Sequence, residues 1–160
     1  MSTGVSGIVY ANNNSDAFYA TKISFDFEKI ANKYGIGSKL GGNVTEEVYN
    51  KYAEDNGSYL FLFELMDSPL DNYAEELFEP EMYGESDSEN LLSRMKRIES
   101  MLKEFLDCNS ITQIVLDINY LFGFKENELV IKVSEFAQTI RGQYVENDVN
   151  VPAIRIIVKK

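Results

Sequence analysis

The side chains best supplied for chemistry in this sequence are carboxylates. Between Lys51 and Arg94 there are 12 acids and no Lys or Arg: Glu54, Asp55, Glu64, Asp67, Asp71, Glu75, Glu76, Glu79, Glu81, Glu85, Asp87 and Glu89. Grouped carboxylates can hold a hard cation, divide into a general acid and a general base, or present a negative surface to a positive partner. A calcium or magnesium site needs oxygen ligands converging from a loop, and no Asp-x-Asp-x-Asp-Gly pattern occurs here. Two carboxylates for acid/base work exist in every acidic protein, so this spacing selects no pair. An acidic face that meets a basic partner asks least of the sequence, beside the plainer reading of a surface that is acidic only for solubility.

The block has internal structure. Glu75, Glu76 and Glu79 fall within one helical turn, where like charges cost a few tenths of a kcal/mol each. Tyr73, Phe78, Met82 and Tyr83 lie among them, and interfaces favour aromatic and Met anchors surrounded by charge. The competing interpretation has Leu77 and Phe78 packed on the core, with the tyrosines covering it. The candidate partner-binding set is Glu64, Asp67, Asp71, Tyr73, Glu75, Glu76, Phe78, Glu79, Met82, Tyr83 and Glu85. Charge is also segregated along the chain. Residues 1–80 hold 5 bases against 13 acids, and residues 81–160 hold 10 against 13, within a net charge of −11.

Other chemistries fail on residue supply. The chain has no histidine, which removes Ser-His-Asp and Cys-His catalysis and His-ligated zinc. One cysteine, Cys108, cannot form an intrachain disulfide or a CxxC redox pair, and its place near the end of an amphipathic segment reads as a half-buried structural thiol. The run Gly35-Ile36-Gly37-Ser38-Lys39-Leu40-Gly41-Gly42 has Leu40 where a dinucleotide fingerprint needs glycine, and Ser38 where a P-loop needs one. It also follows a predicted helix rather than a strand, which leaves a helix C-cap and a flexible turn. Direct nucleic-acid binding is disfavoured, because Arg94, Lys96, Arg97 and Lys103 are diluted by Glu99 and Glu104 in a strongly acidic chain. The expectation is a protein with no cofactor and no metal, and not an enzyme.

The elements that must position these residues follow from periodicity. Residues 5–11 read as a strand, with a turn over Asn12–Asp16. Tyr19, Thr21, Ile23 and Phe25 alternate with Ala20, Lys22, Ser24 and Asp26, which predicts a second, half-buried strand in a hairpin with the first. From Asp26, placed as an N-cap, Phe27, Ile30, Ala31 and Tyr34 take helical spacing up to Gly35. A helix is predicted from Asn43 to Asn56-Gly57, with Glu46 completing a capping box. Ser58–Met66 is a strand apolar on both faces up to Glu64, suited to a central position, and Ser68-Pro69 opens another helix.

Ser86-Asp87-Ser88-Glu89 caps the clearest helix. Leu91, Met95, Ile98, Leu102 and Phe105 form its apolar stripe, Arg94, Lys96, Arg97, Glu99 and Lys103 lie around the rest, and Glu99 and Lys103 have the favourable (i, i+4) order. Ile111–Tyr120 and Glu128–Val133 read as strands joined by a turn around Gly123–Asn127. Ser134 is placed to cap a helix carrying Phe136, Ala137, Ile140 and Tyr144, and Ala153–Lys159 is a last strand after Pro152. The sum is a single α+β domain over residues 1–160, with a mixed or antiparallel sheet of about five or six strands flanked by helices.

A cytoplasmic setting is expected. The first basic residue is Lys22, so the N-terminus lacks the plan of a signal peptide. The longest apolar run, Tyr59–Phe63, is far short of the ~20 residues that span a bilayer. Lone-cysteine usage fits a reducing compartment, and the sequons at Asn13, Asn43 and Asn56 are then coincidental.

A small, acidic, histidine-free α+β chain with a Val133-Ser134-Glu135-Phe136 helix start before a final apolar strand resembles immunity proteins of bacterial polymorphic and contact-dependent toxin systems. The resemblance lies in general character and rests on no signature motif. It implies a protein partner, often a basic nuclease toxin whose active site or essential surface is covered. A phosphate-mimicking inhibitor of a nucleic-acid enzyme and a small carboxylate-dependent enzyme stand as the alternatives.

Overall fold

Strand β1 (Val5–Ala11) alternates Val5, Gly7, Val9 on one face with Ser6, Ile8, Tyr10 on the other, and both faces are buried. Such a strand must lie inside a sheet covered on two sides. In the computed structural model it does, as the third of six strands. Its neighbours are β3 (Ser58–Met66) and β4 (Ile111–Ile118), both antiparallel to it. The edges are β2 (Gly37–Leu40), antiparallel to β3, and β5 (Glu128–Lys132), parallel to β6 (Ile154–Lys159), which is itself antiparallel to β4. The order is β2-β3-β1-β4-β6-β5, a mixed six-stranded sheet of α+β class. The structure describes residues 5–11, 17–41, 58–66, 87–108, 111–118, 128–146 and 154–160.

Three helices, α1 (Ala17–Lys33), α2 (Asp87–Cys108) and α3 (Phe136–Glu146), share one core with a single face of the sheet. Phe27 of α1 is its hub. Its ring centroid lies 4.5 Å from Phe63 and 5.7 Å from Phe61 of β3, and 5.0 Å from Phe105 of α2. Edge-to-face and tilted rings at these separations add to the area term, itself ~1.5–3 kcal/mol for each buried Phe. The stripe Met95, Ile98, Leu102 and Phe105 is fully buried, as its spacing requires. A smaller apolar cluster, Ile8, Tyr10, Val115 and Ile157 with Leu62 against it, occupies the other face of the sheet.

Local chemistry explains the ends. After α1 the N–H of Ile36 reaches Ala31 O at 2.9 Å and that of Gly35 reaches Asn32 O at 3.0 Å, with Gly35 at φ +71°. This pair of bonds is a Schellman stop, and glycine takes the left-handed position without a Cβ clash. It buries Ile36 and turns the chain directly into β2.

Several expectations need correction. Residues 19–26 are not a strand and form no hairpin with β1; they belong to α1, and Asp26 is an interior helical residue, not a cap. The turn expected beyond Gly35 contains edge strand β2. Arg94 is buried, not on the solvated side of α2. Ser134 lies within a 3-10 turn (Val133–Glu135) whose N-cap, Lys132, makes no side-chain capping bond. Strand β5 neighbours β6, not β4, and Ser58–Met66 is second from an edge. The turn at 12–16, the helices expected at 43–57 and from 68, and the turn at 123–127 lie outside the described residues, as does the side chain of Cys108.

Candidate functional site

The strand register assembles one polar residue from each of the six strands into a row. On the sheet face opposite the helices, Lys39 lies across from Glu64, Glu64 from Ser6, Ser6 from Asp117, and Asp117 from Arg155, while Glu128 takes the same level on β5. Directly opposed residues share a face, so the row follows from register alone. Glu64, the candidate nearest the start of the acidic block, therefore sits between Lys39 and Ser6, half-buried.

Asp117 and Arg155 form the row's strongest link. Arg155 Nε donates to Asp117 Oδ1 at 2.6 Å and Nη2 donates to Oδ2 at 3.3 Å, a two-point contact between a planar fork and a carboxylate. Arg155 is 1% exposed. A guanidinium removed from water needs such a partner, because an unpaired charge there costs several kcal/mol. Asp117 is thereby committed to the fold rather than left free for acid/base chemistry.

Two levels along the same face, Gln113 faces Tyr10 on β1 and Lys159 on β6. Gln113 is buried, and neither amide atom has a hydrogen-bond partner. Between these levels lies the apolar row Leu62, Ile8, Val115 and Ile157, which Val130 continues on β5. A polar row, an apolar row and a second polar level thus succeed one another along the strands.

On the helix side, Lys33 Nζ donates to Glu104 Oε1 at 2.7 Å and the Tyr34 hydroxyl donates to the same oxygen at 3.1 Å. The Lys33 hydrogen bond holds the Glu104 carboxyl below its ordinary range, with the Tyr34 bond adding to it. Partial burial, then the bond to Glu104, pushes the Tyr34 hydroxyl up. This trio ties α1 to α2. Among the described residues, no group of three or more Cys, Asp or Glu is gathered closely enough to hold a metal ion.

Of the candidate partner-binding residues, Glu64 is the one described. Asp67, Asp71, Tyr73, Glu75, Glu76, Phe78, Glu79, Met82, Tyr83 and Glu85 lie outside the described residues. The chain that carries them leaves β3 at Met66 and enters α2 at Asp87. Charge divides sharply at these boundaries. The described residues carry 13 Lys and Arg against 12 Asp and Glu, whereas the rest of the sequence carries 2 against 14. The described residues are electrically balanced, and the acidic excess of the protein belongs to the rest of the sequence.

Sequence reasoning missed the Asp117–Arg155 pair. The available signal was one charge inside each of two apolar strands, Ile111–Ile118 and Ile154–Lys159. Comparison of the chain with protein-family models, curated proteins and solved structures finds no match.

Proposed function

We propose that this chain is a non-enzymatic binding protein that neutralises a cognate basic protein toxin, a nuclease domain being the best fit, by charge-complementary docking. The observation that carries the reading is the charge partition. The described residues are close to neutrality, the rest of the sequence carries 2 bases against 14 acids, and residues 67–86 contribute seven acids and no base. Negative charge concentrated in one segment steers encounter with a positive surface and raises the association rate. Tyr73, Phe78, Met82 and Tyr83 supply rigid or adaptable apolar anchors inside that field. A cytoplasmic location goes with this function, and no described helix is long and apolar enough to cross a membrane.

The test compares wild type with the charge reversal E75K/E76K/E79K. Each is immobilised and challenged at low salt with lysate of the native host; captured proteins are identified, and the activity of the main one is assayed with and without the free chain. The expected result is a basic protein that wild type retains and the variant does not, and whose activity falls to zero at equimolar chain. Equal retention by both chains, or a captured protein whose activity is untouched, would overturn the proposal. Inhibition of a nucleic-acid enzyme that is no toxin would favour the phosphate-mimicking alternative.

A further inference from the structure

Lys132 closes β5 and Lys159 closes β6, and the parallel register sets the two directly across from each other. Neighbouring strands lie ~4.8 Å apart, and like charges in opposed positions weaken the pairing that holds them. Both residues are exposed, on the sheet face opposite the helices. Among the described residues neither makes an ion pair or a hydrogen bond, in a chain that carries 26 acids. Lys160, the next residue, does reach an acid, Asp107 of α2, at 3.9 Å.

A third polar group stands beside them. Gln113 of β4 lies across from Lys159 on the same face, 1% exposed, and neither its Nε2 donor nor its Oε1 acceptor has a hydrogen-bond partner. A buried carboxamide of this kind has lost water without replacing it. Three adjacent strands thus bring two ammonium groups and an unsatisfied amide to one level, each at a cost to stability. Local rules broken without a structural return are expected where a ligand binds.

The charges and donors select that ligand. Two ammonium groups are matched by a dianion, which a phosphate monoester approaches at pH 7, whereas a carboxylate leaves one positive charge over. Gln113 Nε2 supplies a neutral donor for a phosphate oxygen, and Oε1 can accept from a hydroxyl on the group that carries the phosphate. A nucleic-acid strand fits poorly, because it needs a track of bases. Along this face Lys132 is followed by Val130 and Glu128 on β5, and Lys159 by Ile157 on β6.

We propose that Lys132, Lys159 and Gln113 form a binding site for a terminal phosphate group, free or carried by a small hydroxylated monoester. The inference is independent of the acidic segment and of any toxin. All three residues sit on strands, which hold a site more precisely than loops do. A phosphate between the lysines bridges a repulsive pair, so the ligand also stabilises the fold.

NMR titrations of the full chain with inorganic phosphate, glycerol 3-phosphate and dimethyl phosphate test it, with the melting temperature as a second readout. The first two probes should shift the backbone amides of Gln113, Lys132 and Lys159 along saturable curves and raise the melting temperature. Dimethyl phosphate, a monoanion without a terminal phosphate, should do neither. K132Q and K159Q should each weaken binding ~tenfold or more, the effect of losing one charged hydrogen bond. Their free chains should melt no lower than wild type, since the like-charge contact is gone. Q113L, which removes an unpaired buried amide, should also fold at least as stably. Tighter binding of glycerol 3-phosphate than of inorganic phosphate, lost in Q113L, would support the site with an ester as its ligand; the reverse order would support it with free phosphate. No saturable shift with either dianion, equal binding of dimethyl phosphate, or K132Q and K159Q chains that bind like wild type would each overturn the proposal.

Discussion

The carboxylate of Glu99, on α2, accepts a 3.0 Å hydrogen bond from the backbone N–H of Ala137 at the start of α3. The first N–H groups of a helix have no partner within it, and a nearby Ser, Thr, Asp or Asn usually supplies one. Here a side chain from another helix does so, and it places a negative charge at the positive end of the α3 dipole. One contact thus caps α3 and docks it on α2. Glu99→Ala should cost ~1 kcal/mol, the range of a lost cap. Ser134→Ala, in the preceding 3-10 turn, should stay within ~0.5 kcal/mol. Urea unfolding of the two variants checks this; equal losses would return the capping role to Ser134.

The Asp117–Arg155 pair predicts a strongly non-additive result. Asp117→Ala leaves the Arg155 guanidinium buried without its two-point acceptor and should cost ~3–5 kcal/mol. Removing both charges with D117L/R155M relieves that penalty and should restore most of the loss. A double variant as unstable as the sum of the two singles would show that packing, not charge, dominates the site.

The Lys33–Glu104–Tyr34 trio sets a pH dependence whose sign is fixed by its pKa directions. The Glu104 pKa is lowered in the folded state, so its contribution is full above the ordinary glutamate value of 4.5 and is lost as pH falls through the depressed folded value. The Tyr34 pKa is raised, so its contribution is present below 10.0 and is lost as pH rises through the folded value. Lys33→Gln should bring the Glu104 titration, followed by NMR of its side-chain carboxyl, back toward 4.5. The stability difference between the two chains should then close on the acid side. A Glu104 titration unmoved by the substitution would mean that Tyr34 alone holds the carboxylate.

Much of this fold is legible in the sequence wherever burial repeats on one face. Val5–Ala11, Ser58–Met66 and the stripe Met95–Ile98–Leu102–Phe105 state their periods openly. Residues 19–26 mislead for a specific reason. Thr21 and Phe25 complete a period-two pattern with Ile23, yet both are exposed in α1, while Ile23, Phe27 and Ala31 carry the helical period that is used. A 62%-exposed Phe25 is a local accident that periodicity counts as signal. Strand β2 has no apolar period, because its partner β3 and the stop at Gly35 make it a strand. The polar row was illegible for another reason: register joins residues far apart in the chain, and Asp117 and Arg155 are 38 positions apart. Composition alone revealed the acidic block, since charge segregation needs no geometry to be seen.

Gly7 offers the sharpest test of the core. It faces Phe63 across the β1–β3 pairing, and the Phe63 ring lies over it. A Cβ added at Gly7 would come within 2.1 Å of the ring's tip and within 2.7 Å of both flanking carbons, far inside contact distance. The ring cannot easily withdraw, because Phe27 stands at 4.5 Å and Phe61 at 6.2 Å. Gly7→Ala should therefore cost more than the ~1–3 kcal/mol typical of overpacking, although alanine is ordinarily the better strand residue. The cause separates by a cycle. Phe63→Leu alone loses ring contacts and should destabilise, but in the Gly7→Ala background it vacates the space that the new methyl needs. The double variant should be more stable than the sum of the singles predicts, by an interaction term of ~1 kcal/mol or more. Chemical denaturation of the four chains measures that term. A value near zero would mean that the strands part to admit the methyl, and that Phe63 does not set the spacing of β1 and β3.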